Sequence, residues 1–125
     1  MLNDIRIIII DDDKEIIEAL SEMLELEEFN VERFSLPEKA LLTLNKNSPV
    51  VVLSDVKMPR MDGLTLLAKL QQHDPDIPVL LMSGHGDIPM AIEAMKEGAY
   101  DFLEKPLPPE KLLSQLQRAA DKRRL

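Results

Sequence analysis

Residues Ile5–Glu15 read IRIIIIDDDKE: four consecutive isoleucines, Ile7–Ile10, run directly into three aspartates, Asp11, Asp12 and Asp13. A continuous apolar run without alternation suits a parallel strand covered on both faces. Carboxylates, in contrast, are almost never fully buried without a partner. The chain therefore leaves a buried element straight into a cluster of negative charge. In an open parallel sheet this happens at the carboxyl edge, where ligands bind at the point where strand order reverses.

Outward from that run, strand-like and helix-like stretches alternate. Ile5–Ile10, Val31–Phe34, Val50–Leu53, Pro78–Met82 and Asp101–Leu103 read as strands, and the first, third and fourth are continuously apolar. Between them lie helical stripes: Ile16, Ile17, Leu20, Met23 and Leu24; then Leu64, Leu67 and Ala68; then Ile88, Ala91, Ile92, Met95 and Ala99. A last helix carries Leu112, Leu113, Leu116, Ala119 and Ala120, and a shorter one covers Pro37–Leu44, with Ser35 and Glu38 at capping-box spacing. Asp74-Pro75 ends the third helix, and Gly98 sits where a left-handed residue would end the fourth. Met90 and Ala94 fall off the fourth helix's stripe and offer a small docking patch. The methionines Met23, Met82 and Met95 read as core filler. The pattern predicts an α/β fold: a doubly wound, five-stranded parallel sheet flanked by five helices, with right-handed crossovers.

With 125 residues, 45% of them hydrophobic, the chain suits one domain with one core. No apolar run approaches the ~18 residues of a membrane span, and no basic leader precedes Ile5. Zero cysteines exclude disulfides and thiolate metal sites, which fits a cytoplasmic location. The net charge of -8 argues against direct nucleic-acid contact by this domain, because phosphate contacts need clustered Lys and Arg.

Each apolar strand stops on a polar or reactive residue: Asp11 and Asp12, then Ser54-Asp55, then Ser83, then Glu104-Lys105-Pro106. In a doubly wound sheet these ends share one rim. Two carboxylates ~4 Å apart repel by about 4 kcal/mol at an effective dielectric near 20. Gathered carboxylates therefore call for cations. Oxygen-only ligands favour a hard divalent ion such as magnesium, and Lys105 supplies a further positive charge. A metal and a lysine that clamp phosphoryl oxygens while a carboxylate attacks make a phosphoryl-transfer site.

The stretches IIDDD, LSDVKMPRMDG, LMSGHGD and GAYDFLEKP together resemble the receiver domain of two-component response regulators over essentially the whole chain. The stretch from Ser83 to Pro106 is most similar to receivers of the nitrogen-regulator-C class of transcriptional activators. The resemblance implies a flavodoxin-like sheet of order 2-1-3-4-5, a single receiver domain over 1–125, and Asp55 phosphorylated by a sensor histidine kinase. It implies Asp12 as a direct Mg2+ ligand together with Asp55, Asp11 holding metal-bound water, and the Lys57 carbonyl as a further ligand. Ser83 and Lys105 would each bond a phosphoryl oxygen, and Ser83 and Phe102 would form the switch. Ser83 keeps the hydroxyl of the commoner threonine but loses its methyl. Phe102 lacks the hydroxyl of the commoner tyrosine, while Tyr100 stands at the wrong spacing. The resemblance further implies a homodimer, and a last helix that leads on to ATPase and DNA-binding domains. The output would be control of transcription, with C4-dicarboxylate transport genes as the finer expectation. A cis peptide at Lys105-Pro106 is also favoured.

Plainer roles compete at several positions. Asp13 reads as the cap of the first helix. DDDKE lacks the glycine and terminal glutamate of a calcium loop, and GHG lacks phosphate-loop glycine spacing. His73 and His85 read as polar loop residues rather than ligands. The basic end DKRRL either complements the last helix's dipole or begins a linker. Function remains divided between a phosphorylation-switched signalling module with no enzymatic turnover beyond its own Asp55, a free-standing receiver that acts by binding a partner, and a small magnesium-dependent phosphohydrolase. No lid or cap segment is evident to enclose a metabolite, which weighs against the phosphohydrolase.

Overall fold

A computed structural model describes residues 4–84 and 87–124. The elements follow as β1 (Arg6–Ile10), α1 (Lys14–Leu26), β2 (Asn30–Phe34), α2 (Pro37–Leu42), β3 (Val50–Asp55), α3 (Gly63–His73), β4 (Val79–Ser83), α4 (Ile88–Lys96), β5 (Asp101–Glu104) and α5 (Pro109–Arg124). The five strands are parallel, in the order β2-β1-β3-β4-β5. All five expected strands are present, with ends that move by one or two residues.

The four isoleucines of β1 divide between the two faces of the sheet, as strand alternation requires. Ile8 and Ile10 join Val50, Val52, Val79 and Leu81 in a core closed by α2, α3 and α4. Ile7 and Ile9 join Val51, Leu53, Leu80 and Met82 in a second core closed by α1 and α5. Because both faces are covered, these strands need apolar residues at every position. That explains their runs. Among the described residues no helix is long and apolar enough to cross a membrane.

The helix ends follow local chemistry. Asp13 caps α1 by accepting from the Glu15 amide, and Asp62 caps α3 by accepting from the Thr65 amide at 2.8 Å. Gly98 adopts a φ of 107° just beyond α4, where the Ala99 amide bonds back to the Ala94 carbonyl at 2.9 Å. Gly63 opens α3 against the sheet, its amide 2.7 Å from the Val56 carbonyl. A Cβ there would lie 2.8 Å from Val56 Cα and 3.1 Å from the Asp55 carbonyl, both backbone atoms. Gly63→Ala should therefore cost about 2–3 kcal/mol of stability by overpacking. An unchanged urea midpoint would show that this turn yields freely.

Four expectations need correction. The helix after Pro37 ends at Leu42, and the Ser35–Glu38 capping box does not form. Pro37 takes the first helical position, which makes Leu36 the cap and leaves the Ser35–Glu38 pair one residue out of register. On α3 the buried side chains are Leu66, Leu67 and Leu70, whereas Ala68 is exposed. His73 belongs to the last turn of that helix, its ring 3.3 Å from the Leu41 carbonyl; His85 lies outside the described residues.

The fourth correction concerns α4. Its buried side is Ala91 and Ala94, with Met90 half-buried, while Ile88, Ile92 and Met95 are 49%, 54% and 45% exposed. The helix is apolar around much of its circumference, so two overlapping stripes fit a 3.6-residue period and both contain Ala91. The stripe with the smaller side chains is the one that faces the sheet. Met95 is thus a surface residue, and Met90 and Ala94 are not the docking patch.

Candidate functional site

Strand register builds the site. Ile10 lies opposite Ser54 between β1 and β3, so Asp11 and Asp55 emerge from neighbouring strands at the same level. Asp55 pairs in register with Met82, and Ser83 with Glu104, which brings the ends of β4 and β5 to the same rim. Asp11, Asp12 and Asp55 each offer an oxygen within 4.8 Å of the others. Lys105 Nζ stands 3.3 Å from Asp11 Oδ2 and 3.3 Å from Asp55 Oδ2. The backbone after β5 is drawn in by the Lys105 amide, which donates to the Ser83 carbonyl at 2.7 Å, and the Lys105-Pro106 bond is cis.

The electrostatics follow from burial. Asp11 is fully buried, and burial pushes its carboxyl above the ordinary aspartate value; the Asp55 charge adds to this, against the Asp13 amide and Lys105. Burial works on Lys105 in the opposite sense, but the Asp11 and Asp55 carboxylates outweigh it and raise its pKa. Asp12 is exposed and faces solvent at the rim. Ser83 is buried, with its hydroxyl donating to the Gly84 carbonyl at 3.2 Å. The Lys57 amide points at Asp55 Oδ1 across 3.4 Å. Phe102 is half-buried on β5, packs against the core beneath α4, and lines a groove of about 610 Å³ with Ile88, Ala91, Ile92 and Met95. The expected residues Asp11, Asp12, Asp55 and Lys105 thus come together, with Ser83 and Lys57 beside them.

Lys105 is the ammonium paired with this group, and it faces three carboxylates. Their donors are all oxygens, two of the three groups are buried, and burial with the neighbouring Asp55 charge raises the Asp11 carboxyl. This group can hold a metal ion, and a hard one fits it best.

Residues 7–117 match the family described as response regulator receiver domain. The chain belongs to that family. It is 44% identical over 119 residues to the C4-dicarboxylate transport transcriptional regulatory protein DctD of Rhizobium meliloti, a match that covers 95% of this chain and 26% of that protein. It is 43% identical over 125 residues to the phosphoglycerate transport system transcriptional regulatory protein PgtA of Salmonella typhimurium, covering 99% of this chain and 30% of that protein. The chain therefore spans between a quarter and a third of the length of these relatives. A response regulator receiver domain protein from Clostridium thermocellum superposes with a TM-score of 0.88 at 31% identity, over 95% of this chain and 96% of that one. The domain is thus the receiver of a two-component response regulator with transcriptional regulators among its relatives, and the sheet order matches the flavodoxin-like receiver fold.

Three ion pairs carry no mark in the sequence. Asp87, read only as part of a motif, is buried and pairs with Lys57 Nζ at 2.8 Å. At the opposite edge of the sheet, Arg123 donates to the Ser48 carbonyl at 3.0 and 2.7 Å and to Asp74 Oδ2 at 3.0 Å. Arg124 reaches Asp4 at 2.8 Å. The basic end of α5 is thus tied to the body of the domain as well as complementing the helix dipole.

Proposed function

We propose that this domain is a phosphorylation switch that accepts a phosphoryl group on Asp55 from a histidine kinase and thereby controls a transcriptional output. The observation that carries this reading is the Asp55 carboxylate, at a strand end, 3.3 Å from Lys105 and beside two further carboxylates. Asp55 Oδ2 attacks the donor's phosphorus, a new P–O bond forms, and the donor's P–N or P–O bond breaks with its electron pair on the leaving group. Asp12, Asp55, Asp11 and the Lys57 carbonyl would hold magnesium, which when bound supplies positive charge to the phosphoryl oxygens. Lys105 needs only a small displacement to pair with one of those oxygens. Ser83 must give up the Gly84 carbonyl to bond another. Incubation with a small phosphodonor and magnesium, followed by intact mass, tests this reading. A single stable adduct supports it. Steady release of phosphate from small phosphomonoesters would favour a phosphohydrolase instead.

The output reading follows from the relatives. DctD is named as a transcriptional regulatory protein of C4-dicarboxylate transport, and PgtA as one of a phosphoglycerate transport system. Control of C4-dicarboxylate transport genes is the finer proposal, with output domains beyond this receiver and a cytoplasmic location. A switch within the receiver can act through self-association on the α4–β5 face. Ile88, Ile92, Met95 and Phe102 form an apolar groove there, edged by Lys96 and Asp101. Beryllofluoride, a mimic of the acyl phosphate, should shift the association constant measured by sedimentation. Ile92→Lys should weaken that association about tenfold, since it removes roughly 1.5 kcal/mol of apolar burial. Association indifferent to both would exclude this face.

A further inference from the structure

Asp87 stands at the N-cap of α4, yet its side chain caps nothing. Its carboxylate is 7% exposed and finds its countercharge in Lys57 Nζ at 2.8 Å, whereas the Lys57 side chain is 69% exposed. A buried carboxylate before α4 thus depends on an ammonium that comes from the loop after the acceptor strand, two residues beyond Asp55. Its neighbours are the weakest anchors of any long helix here. Where α1 buries Ile17, Leu20 and Leu24, and α3 buries Leu66, Leu67 and Leu70, α4 buries two alanines. Its far end is held by a polar tie, Gln71 Nε2 donating to the Glu97 carbonyl at 2.7 Å. A helix with so little apolar anchorage is sensitive to the ion pair at its start.

Lys57 also feels the Asp55 charge. A phosphoryl group on Asp55 brings roughly -1.5 to -2 charges and three acceptor oxygens, which compete with Asp87 for the same ammonium. We propose that the Lys57–Asp87 ion pair is a latch that holds the start of α4 in its resting place, and that negative charge added at Asp55 releases it by drawing the Lys57 ammonium away. The release half rests on Asp55 being the phosphoacceptor; the resting half does not. A ligand that favours the released state then binds more tightly as the latch weakens, because less of its affinity is spent leaving the resting state.

The test uses the 125-residue chain with Asp87→Asn, which keeps the side chain's shape and removes its charge, together with Lys57→Met and the double variant. In the unphosphorylated protein, amides of Ala91–Lys96 should exchange with deuterium about tenfold faster in Asp87→Asn, with those of β1 and α1 unchanged. The apparent affinity for beryllofluoride with magnesium should rise about fivefold. Lys57→Met should speed exchange in the same segment, and the double variant should exceed neither single one by much, since both remove one interaction. Unchanged exchange at α4 overturns the latch. So does faster exchange spread evenly over the whole chain, which would mark Asp87 as merely structural. Weaker beryllofluoride binding in Asp87→Asn would place the pair in the activated state and overturn the release half. If beryllofluoride binds none of the proteins, the native chain included, the Asp55 assignment fails, and the exchange arm still decides the resting half.

Discussion

Asp55→Asn should take up no phosphoryl group from acetyl phosphate and magnesium, whereas the native chain should gain one that hydroxylamine removes. The nucleophile is an ionised carboxylate oxygen, and an amide of the same shape is not a comparable nucleophile. Asp11 and Asp12 remain in the variant, but neither shares the position of Asp55. Asp11 is fully buried, and its oxygens accept from the Asp13 amide and from Lys105. Asp12 is exposed at the rim, and Lys105 pairs with Asp11 and Asp55 rather than with it. The effect is therefore a complete loss, read by intact mass, with Lys105 left paired to Asp11 alone. Labelling of Asp55→Asn to the native extent would remove Asp55 from the mechanism and turn attention to its neighbours.

The features that make this site legible in the sequence are the ones imposed by burial. A strand covered on both faces has to be apolar at each position, so β1, β3 and β4 announce themselves, and the residues that follow must lie on the sheet's rim. Asp11, Asp12, Asp55, Ser83 and Lys105 can be gathered on that ground from the sequence alone. Features set by a choice between equivalent solutions are not legible in this way. The face of α4 is one: Ile88-Ala91-Ile92-Met95 and Met90-Ala91-Ala94 have the same period, and packing against the sheet selects the smaller side chains. The start of α2 is another, because Pro37 displaces the cap from Ser35 to Leu36. Ion pairs between segments distant in the sequence are a third. Nothing local to Asp87 or Lys57 foretells their pairing, and Arg123 meets Asp74 across 49 residues. Sequence periodicity specifies that a helix has an inner face; the neighbouring elements decide which one.

Asp12→Ala should weaken magnesium binding by about a hundredfold or more, while Asp13→Ala should leave it unaltered. Even outer-shell partners of a metal commonly carry 10–100-fold in affinity, and Asp12 belongs to the three-carboxylate group whereas Asp13 does not. The two variants should part in the opposite sense on stability. Asp13 accepts from the Glu15 amide at 3.0 Å, and losing such a cap costs about 1 kcal/mol. Asp12→Ala removes a repelling charge and has no such cost. Asp11 completes the test through pH. Burial, with the Asp55 charge added, raises its carboxyl above the ordinary value, so the metal-free folded protein binds that proton more tightly than the unfolded chain. Its ionisation therefore opposes folding: the penalty is fully present above the raised folded value and vanishes below the unfolded value, about 3.9. Asp11→Asn should raise the melting temperature of the metal-free protein at neutral pH, and the gain should shrink as pH falls towards that value. Saturating magnesium should narrow the same gap, because the ion offsets the charge that the substitution removes. Titration calorimetry and scanning calorimetry across pH measure both halves. Native magnesium affinity in Asp12→Ala, or an Asp11→Asn gain that grows towards acid pH, would mean that the carboxylates are not joined in one cation site.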